Sequence, residues 1–170
     1  VGSEMCIRDR YVERKLPEDA INIQRYLSSG VIKGIGSALA KKIVTAFGSQ
    51  TLEIMEKQPT RLMEIRGISP KKCETIAQEV QKIFALRSLM LFLQQYNIRS
   101  RYAMRAYQCY GSGAKEMILA NPYLLCGMGI ELPFEKAEIL ADDLKVPKNA
   151  EQRILAGTCY ILEHNTHNGY

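Results

Sequence analysis

No uninterrupted apolar run of about 18 residues occurs in this chain of 170 residues, so no segment is long enough to cross a bilayer as a helix. The longest apolar candidate, residues 83–93, is broken by Arg87 and Ser88 and reads as a buried helix. Strand patterns are nearly absent. The five cysteines, Cys6, Cys73, Cys109, Cys126 and Cys159, are odd in number and form no C-x-x-C pair, which argues against both a zinc site and a disulfide framework. Cys73 and Cys126 fall on apolar or small positions and are expected to be ordinary buried thiols, as in a reducing cytoplasm. His164 and His167 are three apart but lack the carboxylate of a metalloprotease motif, and Asn165, Thr166, Asn168 and Gly169 mark a fraying helix end. The run Gly111-Ser112-Gly113-Ala114-Lys115 lacks both the Gly-Lys-Ser/Thr ending and the preceding strand of a nucleotide-binding loop. With no paired catalytic carboxylates either, the sequence assigns no catalytic residue, no metal ligand and no cofactor. A hydrophobic content of 46% nevertheless excludes a disordered tail.

What is present is an internal duplication. Ile35, Ser37, Ala40, Gly48, Ser49, Glu53 and Pro59 recur 63 residues later as Ile98, Ser100, Ala103, Gly111, Ser112, Glu116 and Pro122, while Lys42 and Phe47 become Arg105 and Tyr110. Each copy contains a second turn about 33 residues after the first. Gly67-Ile68-Ser69-Pro70-Lys71-Lys72 answers Gly34-Ile35-Gly36, and Ile130-Glu131-Leu132-Pro133-Phe134 answers Asn97-Ile98-Arg99. Four helix-turn-helix units in two pairs are expected.

The turn residues have a physical logic. Glycine reaches backbone angles closed to other residues and admits close approach of another backbone, while the middle hydrophobe, Ile35, plugs back between the helices. The turn feeds directly into a helix start, where Ser37 is expected to cap and the first amides point outward without partners. Such free N–H groups at the positive end of a helix dipole suit one phosphate, and Lys33, Lys41 and Lys42 add charge nearby. No base edge is read in this way, so the contact would be independent of sequence.

At these residues the chain resembles the helix-hairpin-helix family of DNA-binding motifs. The order of elements is more specific. Leu16-Pro17, then Tyr26 to Gly36, Ala46-Phe47-Gly48, Tyr110-Gly111 and Asn121-Pro122-Tyr123 resemble the region ahead of the motor in bacterial RecD-like ATP-dependent DNA helicases, over roughly residues 11–170. The resemblance implies an all-α fold, with tandem helix-hairpin-helix units in two duplicated pairs around a long central helix. It implies a non-catalytic fragment of an enzyme that unwinds DNA in the 5′ to 3′ direction, preceded by a small β-barrel and followed by helicase domains. ATP and magnesium would belong to the motor of that parent protein. The partners would be those motor domains and DNA, single-stranded or forked, contacted through its phosphates, with no membrane involved and a cytoplasmic location.

Departures from the family pattern grade the four turns. Ser69 replaces a second glycine, which a serine cap with Pro70 at the first helical position tolerates. Asn97 replaces glycine in the third turn and is the next-best residue for left-handed angles. In the fourth, Glu131 and Pro133 put a carboxylate beside the phosphate position and remove an amide donor, so that unit is expected to be structural only. Charge follows the same gradient. Residues 31–120 hold 14 Lys and Arg against 6 Asp and Glu, while residues 121–170 hold 4 against 7. A basic footprint that coincides with the three better turns fits nucleic acid, the alternative being a merely solvated face. The expected DNA-binding residues are Lys33, Gly34, Ile35, Gly36, Ser37, Lys41, Lys42, Gly67, Ile68, Ser69, Lys71, Lys72, Asn97, Arg99, Ser100 and Arg101.

Ser69 and Pro70 start a long helix with Ile76, Val80, Ile83, Phe84, Leu89, Met90 and Leu93 on one wide apolar face, expected to join the two halves. Residues 1–16 are expected to be a non-native tail and the last strand, Tyr11 to Lys15, of the preceding barrel. Residues 17–145 would form the helix-hairpin-helix domain, and 146–170 the start of a helical segment leading to the motor, with Ile154, Leu155, Thr158, Cys159 and Leu162 on one side. Both ends look cut. Two other classes stay open: a DNA repair enzyme of glycosylase or nuclease type, whose four-cysteine iron–sulfur loop the scattered cysteines exclude, and a module whose hairpins serve packing alone.

Overall fold

Helix α1 (Ala20–Ser28) begins where the Asp19 carboxylate accepts the Asn22 N–H at 2.9 Å, an ordinary N-cap. The computed structural model describes residues 16–167, so the expectations for the first fifteen residues lie outside the described part. Helix α2 (Ser37–Phe47) ends at Gly48, whose φ of 56° stops the helix. A short 3₁₀ turn (Gly48–Gln50), helix α3 (Thr51–Lys57) and a second 3₁₀ segment (Pro59–Glu64) lead to the long helix α4 (Pro70–Gln94). Its start is the expected one: Pro70 is the first helical residue and the Ser69 hydroxyl accepts the Lys72 N–H at 3.3 Å.

The same series then repeats. Helix α5 (Ser100–Tyr110) stops at Gly111, with φ 67°, and is followed by a 3₁₀ turn (Gly111–Gly113), helix α6 (Ala114–Ala120) and a 3₁₀ segment (Pro122–Cys126). Helices α7 (Phe134–Asp143) and α8 (Glu151–His167) complete the described part. The described residues are all-α and contain no strand. The first four elements after each pair's opening turn begin 63 residues apart, and one extra residue enters only ahead of the fourth turn.

Two compact units make up the described residues, the division falling after Phe84. Helix α4 contributes to both: its first half supplies the closing helix of the first unit, and its last turns open the second as α1 opens the first. In the first unit Ile23, Leu27, Ile43, Met55, Leu62 and Ile76 are completely buried in one apolar cluster. Each such side chain stabilises the fold by about 1.5–3 kcal/mol relative to exposure. In the second, Leu93, Ile118, Leu125, Ile130 and Leu140 play that part. Cys73 is buried, and its thiol donates to the Pro59 carbonyl at 3.2 Å. Cys126 is half-buried, and burial pushes its thiol up to about 12.

Candidate nucleic-acid interface

All four turns share one backbone form. A residue with positive φ comes first: Gly34 at 92°, Gly67 at 106°, Asn97 at 55° and Glu131 at 60°. A buried hydrophobe follows, Ile35, Ile68, Ile98 or Leu132, each at most 7% exposed. One exposed residue then precedes the helix. The hydrophobe is a plug that fixes the turn to the core, and any ligand contact by Ile35 or Ile68 must come from its backbone. Only the first residue needs left-handed freedom, so Asn97 suits its place and Glu131 carries a strain that glycine would not.

One expectation changes at the first turn. Helix α2 begins at Ser37 itself, and its cap position is Gly36, which has no side chain to offer. Ser37 therefore does not cap. The turn uses residues 34 to 36 to reverse the chain, so the serine falls one position inside the helix. The first amides of α2 consequently have no side-chain acceptor, the situation in which an anion can serve. In the second turn the Ser69 hydroxyl already takes one amide.

The first unit brings the first and second turns together. Gly34, Ser69, Lys71 and Lys72 line a single open depression of about 280 Å³, with Thr75 and Ile76 completing it. A Cβ on Gly34 would lie 3.6 Å from Ile76 Cγ1, so backbone conformation, not space, makes glycine the residue of choice there. Gly36 has an ordinary φ of −93° and open space around it. Thr75 was not foreseen; its hydroxyl bonds the Lys71 carbonyl at 3.0 Å one turn back along α4. Lys33 and Lys41 are exposed and outside the depression.

Lys42 has a structural duty. Its ammonium donates to the Arg66 carbonyl at 3.5 Å, just ahead of Gly67, and so ties α2 to the second turn. Arg105, its counterpart in the duplication, donates to the Ile130 carbonyl at 3.0 Å, just ahead of Glu131. The same cross-tie thus recurs in both units with a different cation. Arg105 also pairs with Glu131 at 3.3 Å, which places the carboxylate of the fourth turn on a cation of its own unit. In the third turn Arg99 occupies the cap position and is exposed, Ser100 starts α5, and the Arg101 guanidinium stacks over Tyr102 at 4.7 Å.

Other candidate chemistry resolves into packing. Lys115, which ends the glycine-rich run, bonds the Ser88 hydroxyl at 3.0 Å and sits over the Phe92 ring. His164 stacks on Tyr160. Among the described residues no His, Cys, Asp or Glu cluster could hold a metal, and no helix is long and apolar enough to cross a membrane.

Four hairpins of this form, each a positive-φ residue and a buried plug leading into a helix, make this a tandem helix-hairpin-helix protein, an architecture of nucleic-acid binding. Residues 25–82 match the family described as a SAM-like helix-hairpin-helix tandem. Residues 82–170, more than half of the chain, match the helix-hairpin-helix domain of ATP-dependent RecD2 DNA helicases, and the chain belongs to that family. No solved structure matches it.

Proposed function

We propose that the chain binds DNA without regard to sequence, by its phosphates, as the accessory region of a 5′ to 3′ DNA helicase acting in repair or recombination. The observation that carries this reading is the depression where Gly34 of the first turn meets Ser69, Lys71 and Lys72 of the second. Two lysines at the start of α4 address phosphates there, next to the turn that leads into the uncapped amides of α2, and a phosphate contact carries no base identity. The third turn, with exposed Arg99 and Arg101, offers cations of its own in the second unit. The fourth, with Glu131 held by Arg105, serves structure. Single strands and forks are the natural ligands of such a region, with the motor domains of the same polypeptide as its other partner, ATP and magnesium confined to that motor, and the cytoplasm as its location.

Fluorescence anisotropy with single-stranded, forked and duplex DNA of several unrelated sequences tests the proposal. Two or three neutralised phosphates give a log–log salt slope of about −2 to −3. Strong preference for one sequence, or affinity that ignores salt, would overturn it.

A further inference from the structure

The second unit carries a groove of about 990 Å³ between the fourth hairpin and α8, and its chemistry is unlike that of the basic turns. Glu151, Leu155, Cys159 and Glu163 all line it, spaced four residues apart along one stripe of α8. That stripe covers about 18 Å, with a carboxylate at each end and an apolar middle. Opposite lie Met128, almost wholly exposed, and Glu131 of the fourth turn. Leu155 is 66% exposed, although it faces a concave surface. The lining contains three glutamates and no lysine or arginine. The rings of Tyr123, Phe134 and Tyr160 form a stack along its wall, with centroids 5.8 and 5.6 Å apart. The thiol of Cys126, also in the lining, reports the local field: burial first, then Glu135, Glu138 and Glu163, push it upward.

An exposed apolar floor framed by carboxylates selects its occupant by charge. Phosphates are repelled, so this groove is no continuation of the DNA track. We propose that it is a docking site for a protein segment, an amphipathic helix with apolar anchors in its middle and Lys or Arg toward both ends. The anchors fill the space over Leu155 and Met128, and the cations meet the carboxylates at the two ends of the stripe, Glu151 and Glu163, while Glu131 stays with Arg105. The duplication has thereby divided its labour: the first pair of hairpins keeps the phosphate cradle, and the fourth turn has become one wall of a protein-binding groove. This inference stands apart from the DNA reading, since it uses none of the residues of the depression in the first unit.

The test uses the whole chain and two labelled synthetic peptides of about five helical turns, alike in their leucine anchors and differing only in flanking Lys or flanking Glu. Because the chain carries a net charge of +5, general attraction would favour the acidic peptide. The expected result is the reverse, with the basic peptide bound at least about tenfold more tightly. Leu155→Asp, an exposed position, should abolish that binding with the circular dichroism unchanged, and the double change Glu151→Lys with Glu163→Lys should invert the preference. Tighter binding of the acidic peptide by the parent chain, no measurable binding of either, or affinity untouched by both variants would overturn the proposal. So would a loss of oligodeoxythymidylate binding in Leu155→Asp, which would make the groove a DNA site.

Discussion

Replacing Glu138 by Gln should loosen the joint between α7 and α8, and the size of the effect follows from its surroundings. The Glu138 side chain is only 19% exposed. It accepts two hydrogen bonds of 2.9 Å from Arg153, through Nε and Nη2, and one of 2.5 Å from the Tyr123 hydroxyl, with Lys148 at 3.6 Å. The Arg153 fork, foremost, holds the carboxyl at about 2, against an ordinary 4.5. At about 1.36 kcal/mol per pH unit that gap corresponds to about 3 kcal/mol, and partial solvent access trims it to about 2 kcal/mol. Because the folded value lies below the unfolded one, the contribution is complete above the ordinary carboxylate range and disappears as pH falls toward about 2. Glutamine keeps the shape but turns a neutral amide toward the guanidinium. Hydrogen exchange of peptides from residues 134–160, corrected for intrinsic rates, should show the variant about 2 kcal/mol easier to open near neutral pH, with parent and variant converging on acidification. A gap below about 0.5 kcal/mol at neutral pH, or one that persists unchanged into strong acid, would refute the reasoning.

Three further outcomes are expected. Changing Lys71 or Lys72 to Ala should weaken DNA binding equally across sequences and reduce the magnitude of the salt slope by about one for each phosphate that is no longer neutralised, as read by anisotropy at several ionic strengths. Gly36→Glu should fold normally, since its φ is ordinary and its surroundings open, yet fail to hold a phosphate at the first turn, whereas Glu131→Ala should leave DNA affinity unchanged or slightly higher; the opposite pattern would put the DNA on the wrong side of the molecule. Timed alkylation of the native chain followed by mass spectrometry should modify exposed Cys109 and Cys159 first and Cys73 and Cys126 slowly, the latter because burial raises its thiol and keeps it protonated.

Local chemistry was legible in the residues themselves. The positions of all four turns, the register of the duplication, the start of α4 at Ser69 and Pro70 and the tolerance of Asn97 for a left-handed angle follow from backbone preferences a few residues long, which act before any distant contact forms. The departure of the fourth turn from the pattern was equally visible in Glu131 and Pro133. Tertiary structure decided the rest. Where the helix begins relative to Ser37 depends on how residues 34 to 36 reverse the chain, and the role of Lys42 as a tie to Arg66 depends on a carbonyl 24 residues away. The apolar stripe of α8 was evident as a pattern, but a helical pattern does not say what faces it. Only the packed second unit shows Leu155 exposed within a groove framed by glutamates. Periodicity specifies a face, and whether that face meets core, solvent or a partner is set by contacts between residues far apart in the chain.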